Sequence, residues 1–172
     1  MSGFISFLFS PLSSDNSSLC NITTIAFSPS EFISFMDFYE RSIALPYDFQ
    51  RGILTVQAGL ETGWGKKVID KNLFNIKAGD NYIKNGGSYC EIDTFEYING
   101  IKKLIVAKFR RYDTYAKSIL DYIYLIKNSV RYKEAYNNRD NYKMYYIQLQ
   151  KGGYATDPNY ADKLIRLYNQ YF

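Results

Sequence analysis

The sequence predicts a mainly helical α+β domain, and three observations support that class. Apolar residues recur at helical spacing in several separate stretches, for example at Ile53, Val56 and Leu60. One Asn99-Gly100 pair between apolar segments is typical of a tight β-hairpin turn. The length of 172 residues fits one domain with one core. We therefore expect a single helical body that carries a small β-hairpin lobe.

The first two helices are predicted from their ends. Ser28 and Glu31, with Pro29 between them, have the form of a capping box at the start of the first helix. The apolar stripe that follows predicts a second helix from near Pro46 to near Glu61. It should end there because two glycines arrive immediately afterwards, and glycine readily adopts the left-handed conformation that closes a helix.

The remaining elements follow in chain order. Residues 66–87 show no sustained period and are predicted to form a loop. Strands over residues 89–98 and 101–110 should flank the Asn99-Gly100 turn. Helical spacing then predicts helices around residues 116–123 and 142–149. A last helix should start with Asp157 as its cap and Pro158 in its first turn.

The first 28 residues differ from the rest of the chain. Asp15 is their one charged residue, and the short apolar run over residues 4–9 has no basic residue ahead of it. An ordinary signal peptide is therefore not predicted, and the run is too short to span a bilayer. We predict an N-terminal tail or docking segment over residues 1–28 and one domain over residues 29–172.

Composition excludes several kinds of chemistry. The chain has no histidine, which excludes a Ser-His-Asp triad, a histidine-ligated zinc and a histidine base. Its two cysteines cannot complete a four-thiolate zinc site, and whether they form a disulfide is open. The net charge is +4, but the lysines and arginines are scattered, so nucleic-acid binding is not predicted. Neither a metal nor a cofactor is expected.

Glu61 is the strongest candidate for a catalytic residue. It is predicted at the carboxyl end of an apolar helix, close to the single tryptophan, Trp64. A helix end of that polarity and a neighbouring ring both disfavour the carboxylate, so the pKa of Glu61 should be raised. A glycosidase needs such a general acid. The alternative is that Glu61 is a solvated residue at a helix end and that Trp64 is a core ring.

Several blocks of the sequence resemble one enzyme family. They resemble the peptidoglycan-cleaving N-acetylglucosaminidases of glycoside hydrolase family 73, which include flagellar rod-type muralytic hydrolases, autolysins and phage lysins. The match runs from about residue 31 to the end of the chain. The blocks that carry it are QAGLETGWGK (57–66), NLFNIK (72–77), TFEY (94–97), AKFRRY (107–112) and GYATDPNYA (153–161).

This resemblance implies a fold, a reaction and three catalytic residues. It implies a lysozyme-like helical domain with a small β-hairpin lobe flanking a substrate groove, and hydrolysis of the β-1,4 bond between N-acetylglucosamine and N-acetylmuramic acid. Glu61 matches the family's catalytic acid, Glu96 its second carboxylate, and Tyr154 a tyrosine near the catalytic centre. The substrate-binding residues implied on the same basis are Trp64, Phe74, Asn75, Tyr97 and Tyr160.

The second carboxylate has competing interpretations. A two-residue turn places Glu96 opposite Lys103, and an exposed Glu-Lys pair across two strands is an ordinary surface feature. Glu91 and Asp93 are also on the hairpin, on the other face of the strand from Glu96. Retaining, inverting and substrate-assisted mechanisms all stay open, because they differ in the distance and identity of the second group.

The wider function also has alternatives. A muramidase or lytic transglycosylase of the same superfamily would cut another bond or form an anhydro product. A non-catalytic structural or binding module of a flagellar, secretion or phage tail assembly is the alternative from another class. The expected partner is the peptidoglycan glycan strand, reached in the periplasm, outside the cell or from a phage virion. Delivery would depend on a secretion, flagellar or phage assembly that binds residues 1–28.

Overall fold

The computed structural model describes residues 17–98 and 101–172, and confirms the mainly α, α+β class. The side chains of residues 17, 18, 95–98 and 102 are outside the described part. The described helices are α1 (Pro29–Tyr39), α2 (Ile53–Thr62), α3 (Asp80–Lys84), α4 (Tyr115–Asn128), α5 (Lys133–Asn137), α6 (Tyr142–Lys151) and α7 (Tyr160–Tyr171). The described strands are β1 (Ser17–Leu19), β2 (Ile22–Thr23), β3 (Val68–Ile69), β4 (Tyr89–Ile98) and β5 (Ile101–Arg110).

The β lobe is built on the predicted hairpin. Strands β4 and β5 pair antiparallel in the expected register, with Glu96 opposite Lys103. Strand β1 adds to the free edge of β4 in parallel, so that the sheet order is β1-β4-β5. Strands β2 and β3 form a separate antiparallel pair. The predicted Asn99-Gly100 turn lies outside the described residues.

The start of α1 confirms the predicted capping box. The Ser28 hydroxyl accepts from the Glu31 backbone N–H at 3.3 Å, and the Glu31 carboxylate accepts from the Ser28 N–H at 3.1 Å. Two backbone donors that the helix cannot satisfy are thereby paired. A π-helical turn (Glu40–Ala44) and a 3-10 turn (Leu45–Tyr47) follow the helix.

The predicted start of the second helix was wrong. Helix α2 begins at Ile53 instead of near Pro46, because Asp48 and Gly52 have φ angles of 61° and 91°. A right-handed helix cannot continue through left-handed residues. Its predicted end is confirmed, since α2 stops at Thr62 and Gly63 follows with a φ of 60°.

The predicted cap of the last helix was also wrong. Helix α7 begins at Tyr160 with Asn159 before it. Asp157 instead closes a local turn, accepting from the Asn159 N–H at 2.9 Å, and pairs with Lys163 at 2.5 Å. Such side-chain-to-backbone turns compete with capping for the same kind of residue. The predicted loop over residues 66–87 also contains β3 and α3, and α5 was not predicted.

Residues 17–28 contact the domain through three links that the sequence did not predict. A disulfide joins Cys20 to Cys90 at the base of β4. Strand β1 pairs with β4, and β2 pairs with β3. The earlier part of the predicted docking segment, residues 1–16, is outside the described residues.

Helix α2 is the central helix of the core. Eight of its ten residues are buried, and α1 and α7 pack against it. Aromatic rings fill much of the surrounding space, including Phe74 and Tyr122, which stack with centroids 4.0 Å apart. Among the described residues, no helix is long and apolar enough to cross a membrane. Because the catalytic candidate Glu61 is in the last turn of α2, the core fixes the position of that residue.

The start of α2 depends on a buried carboxylate from the preceding turn. Glu40 is 3% exposed and accepts from the backbone N–H groups of Gly52 at 2.7 Å and Thr55 at 2.8 Å. Gly52 has no side chain with which to cap the helix, so Glu40 supplies both acceptors and a negative charge at the positive end of the helix dipole. Burial raises the pKa of Glu40, while these two backbone hydrogen bonds oppose the rise.

We expect Glu40→Ala to destabilise the protein by about 2 to 4 kcal/mol, because two buried N–H groups lose a charged acceptor. Chemical denaturation measures the change. Glu134→Ala, at an exposed site on α5, is the matched control and should change the free energy of unfolding by less than about 0.5 kcal/mol. Equal losses in the two variants would contradict the proposed capping role.

Candidate active site

Glu61 is in the last turn of α2 and is only partly exposed. Its Oε1 accepts from the Tyr160 hydroxyl at 2.6 Å, and its Oε2 accepts from Asn75 Nδ2 at 3.1 Å. The same Asn75 amide also donates to the Glu61 backbone carbonyl at 2.8 Å. Both oxygens of the carboxyl group are therefore held by neutral donors on two other segments of the chain.

The surroundings of Glu61 favour its protonated form. Burial raises the pKa of Glu61, and the hydrogen bonds from Tyr160 and Asn75 partly offset that rise. Among the described residues no cation contributes to the shift, in contrast to a surface carboxylate paired with lysine or arginine. A carboxyl group whose pKa is raised in this way is suited to donate a proton.

Asn75 contacts Glu61 because the preceding loop is anchored to the hairpin. Asn72 is fully buried, and its Nδ2 donates to the carbonyls of Ile76 and Arg110, both at 2.9 Å. Its Oδ1 accepts from the Ile76 N–H at 3.0 Å, which closes a tight loop around Asn75. Asn75 itself has a φ of 49°, a left-handed conformation that asparagine tolerates better than most residues. The NLFN motif thus serves to aim the Asn75 amide at Glu61.

Tyr154 and Tyr160 form an aromatic pair beside the carboxyl group. Their rings stack with centroids 6.1 Å apart and an interplanar angle of 20°. The Tyr160 hydroxyl contacts Glu61 directly, whereas the Tyr154 hydroxyl donates to the Phe74 carbonyl at 2.7 Å. Tyr154 therefore positions the neighbouring ring and the NLFN loop in this conformation. Burial and the nearby Glu61 carboxylate raise the pKa of Tyr160 far above its usual range, so its hydroxyl remains a donor.

Two of the predicted substrate-binding rings are packed against other parts of the protein. Phe74 has no exposed surface and stacks on Tyr122. Trp64 packs edge-on against Phe32 and Tyr171, with centroid distances of 6.1 and 4.7 Å. The Trp64 ring also covers Gly59, where a Cβ would lie only 2.6 Å from the ring.

The backbones of Glu96 and Tyr97 are in β4, but their side chains are outside the described part of the chain. Of the alternative carboxylates, Glu91 pairs with Lys108 at 3.5 Å, and Asp93 is exposed. The structure therefore brings together Glu61, Asn75, Tyr154 and Tyr160 among the residues that the sequence singled out. The role of each remains a prediction.

Sequence reasoning missed two residues behind this cluster. Gln57 is fully buried and its Nε2 donates to the Tyr160 hydroxyl at 3.3 Å, while Tyr122 donates to the Gln57 Oε1. One signal was available for Gln57: it precedes Glu61 by four residues, which puts an amide and a carboxyl group on the same side of α2. No local signal was available for Tyr122, because it is 65 residues away in sequence.

One group of potential metal ligands occurs in the described residues, formed by Cys20, Asp70 and Cys90 within 4.8 Å of one another. The two sulfurs form a disulfide, and thiolates, not disulfides, bind metal ions. The Asp70 carboxylate accepts from Arg111 at 3.1 Å and from the Asn21 N–H at 3.2 Å. This group is better explained as a structural link at the base of the hairpin.

A helical body whose central helix carries a glutamate of raised pKa in its last turn, together with a β lobe, is the architecture of a glycoside hydrolase of the lysozyme type. The family model described as mannosyl-glycoprotein endo-beta-N-acetylglucosaminidase matches residues 40–172. The chain belongs to this glucosaminidase family, glycoside hydrolase family 73.

Known proteins agree with this assignment. The chain is 34% identical over 146 residues to "Peptidoglycan hydrolase FlgJ" of Vibrio parahaemolyticus, covering 81% of this chain and 46% of the relative. It is 36% identical over 141 residues to "Exo-glucosaminidase LytG" of Bacillus subtilis, covering 77% and 46%. A crystal structure of a peptidoglycan hydrolase mutant from Sphingomonas sp. A1 matches with a TM-score of 0.70 and 38% identity, covering 83% and 93%. The chain spans less than half the length of these two curated relatives.

Proposed function

We propose that this protein is an endo-β-N-acetylglucosaminidase that cleaves the β-1,4 bond between N-acetylglucosamine and N-acetylmuramic acid in peptidoglycan. The observation that carries the proposal is the Glu61 carboxyl group, partly buried and held by Tyr160 and Asn75 with a raised pKa. The names of the relatives supply the substrate class, since they include a peptidoglycan hydrolase and a glucosaminidase.

Glu61 acts as the general acid in this proposal. It gives its proton to the glycosidic oxygen as the bond from that oxygen to the anomeric carbon breaks, so that the departing sugar leaves as a neutral alcohol. Water then adds to the anomeric carbon and returns a proton to the enzyme. A positioned acid of this kind accelerates such a step by about 10²- to 10⁴-fold. Asn75 and Tyr160 keep the carboxyl group in one orientation throughout.

The second group at the reaction centre is proposed to be Glu96, carried on β4. A carboxylate there would activate water or stabilise the positive charge that develops on the sugar ring. If the N-acetyl group of the substrate attacks the anomeric carbon instead, Glu96 is needed less. Glu91 is the weaker alternative, because its carboxylate is already paired with Lys108.

We place the action of the protein at the cell wall, in the periplasm, outside the cell or on a phage particle. The Cys20–Cys90 disulfide supports an oxidising location, since such bonds persist mainly outside the cytoplasm. The division of the chain at residue 28 and the docking of residues 1–28 to a secretion, flagellar or phage assembly remain proposals.

Mass spectrometry of digested peptidoglycan tests the proposed bond. The expected products carry reducing-end N-acetylglucosamine. Reducing-end N-acetylmuramic acid would indicate a muramidase, anhydro ends a lytic transglycosylase, and intact glycan a non-catalytic module. Because one relative is named an exo-glucosaminidase, the length of the products also matters. Long oligosaccharides early in the digestion support endo cleavage, and monosaccharide or disaccharide release alone would contradict it.

A further inference from the structure

A buried amide lies directly behind the proposed acid. Gln57 is fully buried within α2, surrounded by apolar residues of the core. A primary amide in such a place needs partners for its oxygen and its NH₂ group, because each unpaired polar group there costs about 1 to 3 kcal/mol. Gln57 finds both partners in tyrosine hydroxyls from two other helices.

These contacts form a hydrogen-bond chain from the core to the carboxyl group. The Tyr145 and Tyr122 hydroxyls are 2.5 Å apart, and Tyr122 contacts the Gln57 Oε1. The Gln57 Nε2 lies 3.3 Å from the Tyr160 hydroxyl, which lies 2.6 Å from Glu61 Oε1. The hydrogen-bond chain therefore connects side chains of α6, α4, α2 and α7 and returns to the last turn of α2.

The buried end of the hydrogen-bond chain determines the direction in which its groups donate. Tyr145 is fully buried, and among the described residues Tyr122 is the one hydrogen-bond partner of its hydroxyl. If Tyr145 donates to Tyr122, the lone pairs of the Tyr145 oxygen have no donor, and leaving them unpaired costs little. If the direction were reversed, the Tyr145 hydrogen would have no acceptor, at a cost of about 1 to 3 kcal/mol. The favoured direction runs from Tyr145 towards Glu61.

This direction fixes the Gln57 amide and, through it, the Tyr160 hydroxyl. Tyr122 donates to the Gln57 oxygen, so the Gln57 NH₂ group must face Tyr160. Tyr160 then accepts from Gln57, and its own hydrogen points to Glu61 Oε1. The Tyr160 hydrogen thereby occupies one lone pair of Oε1, while Asn75 Nδ2 donates to Oε2 at 3.1 Å, and the two contacts together fix the plane of the carboxyl group.

We propose that Gln57 and Tyr122 are positioning residues that keep the Tyr160 hydrogen on Glu61 Oε1 and so hold the carboxyl group of the acid in one orientation. This inference rests on the proposed glycosidase activity. It assigns the buried polar groups of Gln57 and Tyr122 a role in that activity. It also requires that the hydrogen-bond chain be intact from Tyr122 onward for the Glu61 carboxyl group to keep that orientation.

Tyr122→Phe is the decisive variant because it removes only the hydroxyl. The ring can keep its stack with Phe74. Without Tyr122 as a donor, both orientations of the Gln57 amide leave one polar group unpaired, so the directional preference is lost. Tyr160 then shares its hydrogen between Gln57 and Glu61. Tyr146→Phe is the matched control. The Tyr146 hydroxyl is equally buried, but it donates to the Ile53 carbonyl, which is not part of the hydrogen-bond chain.

The kinetics are measured on soluble peptidoglycan glycan strands across a range of pH. We expect Tyr122→Phe to lower kcat by about tenfold with KM changed by less than about twofold, because orientation of the acid is lost rather than binding. Tyr146→Phe should keep both constants within about twofold of wild type, although it also loses a buried hydrogen bond, one where Tyr122→Phe loses two.

The pH profile separates positioning from a general loss of stability. Glu61 is faced by Tyr160 from α7, by Tyr154 from the preceding loop and by Asn75, and the Glu96 side chain is outside the described part. The Tyr160 hydrogen bond lowers the pKa of Glu61, so weakening it raises that pKa. A general acid is active when protonated, and the alkaline limb of kcat should therefore move to higher pH in Tyr122→Phe alone.

Two results would overturn the inference. One is an identical effect of Tyr122→Phe and Tyr146→Phe on kcat, and the other is a fall in kcat with no movement of the alkaline limb. If Tyr122→Phe does not fold, Gln57→Leu removes the same link and is judged by the same two measurements. An inactive wild-type protein would instead contradict the proposed function, so the two failures are distinguishable.

Discussion

Glu61→Gln should lower the rate of glycan cleavage by about 10³-fold, because the amide cannot give a proton to the leaving oxygen. The substitution keeps the shape of the side chain and leaves an oxygen to accept from Tyr160. Release of reducing ends from purified peptidoglycan measures the effect. Glu134→Gln, at an exposed site on α5, is the matched control and should retain full activity. Activity of Glu61→Gln near the wild-type level would contradict the assignment of Glu61 as the general acid.

The same variant should be folded, and its stability carries a pH signature. Burial raises the pKa of Glu61 in the folded state. A group with a raised pKa contributes stability at a pH below its ordinary pKa of about 4.3, and that contribution is lost as pH rises through the folded pKa. The melting temperature of Glu61→Gln relative to wild type should therefore increase between pH 4 and 7. A constant difference would mean that the carboxyl group is not held as described.

Glu96→Gln tests the mechanism beyond the first proton transfer. If the N-acetyl group of the substrate is the nucleophile, this change should lower turnover much less than Glu61→Gln. An equal loss would rule out the substrate-assisted route and favour a second catalytic carboxylate.

Loss of the disulfide should produce the largest change in stability. Cys20 and Cys90 are 70 residues apart, and closing a loop of that length stabilises a protein by about 4 kcal/mol in the chain-entropy model. We expect the double variant Cys20→Ser/Cys90→Ser to lose about that amount, which lowers the melting temperature by roughly 10 °C.

Reduction of the wild-type protein provides the control for the prediction on the disulfide. Serine at position 90 also buries a hydroxyl, since Cys90 is fully buried. A thiol reductant avoids that complication and should lower the melting temperature of wild type but not of the double variant. An unchanged wild-type melting temperature under full reduction would show that the bond contributes little.

Local signals in the sequence predicted the elements that depend on local chemistry. The capping box at Ser28, the glycine after α2 and the hairpin strands are each decided by residues close together in the chain. The predicted start of α2 was wrong because Asp48 and Gly52 adopt left-handed backbone conformations, which the spacing of apolar residues does not record. The predicted cap of α7 was wrong because an aspartate can accept a backbone hydrogen bond either at a helix start or in a local turn, and Asp157 does so in a turn.

The candidate site was predictable only in part for a related reason. Glu61 and the NLFN motif were visible as patterns, but the contact between Glu61 and Tyr160 joins residues 99 positions apart. The links from Gln57 to Tyr160 and to Tyr122 span 103 and 65 positions. Contacts of that range follow from how helices pack, and a single sequence has no local pattern that records them. The pairing of Cys20 with Cys90 depends in the same way on β1 joining β4.

In the described part of the chain, the contacts that fasten the hairpin lie at one end, its root. Its root is fastened by the disulfide at Cys90 and by the Asn72 amide on the Arg110 carbonyl. Glu96 is six residues further along β4, which places it about 20 Å beyond that root at the usual rise per residue. A rotation of about 10° at the root would shift Glu96 by about 3.5 Å, comparable to the difference in carboxylate spacing that distinguishes retaining from inverting glycosidases. If Glu96 is the second carboxylate, as proposed, the tilt of the hairpin would set its distance from Glu61 and with it the choice between retention and inversion.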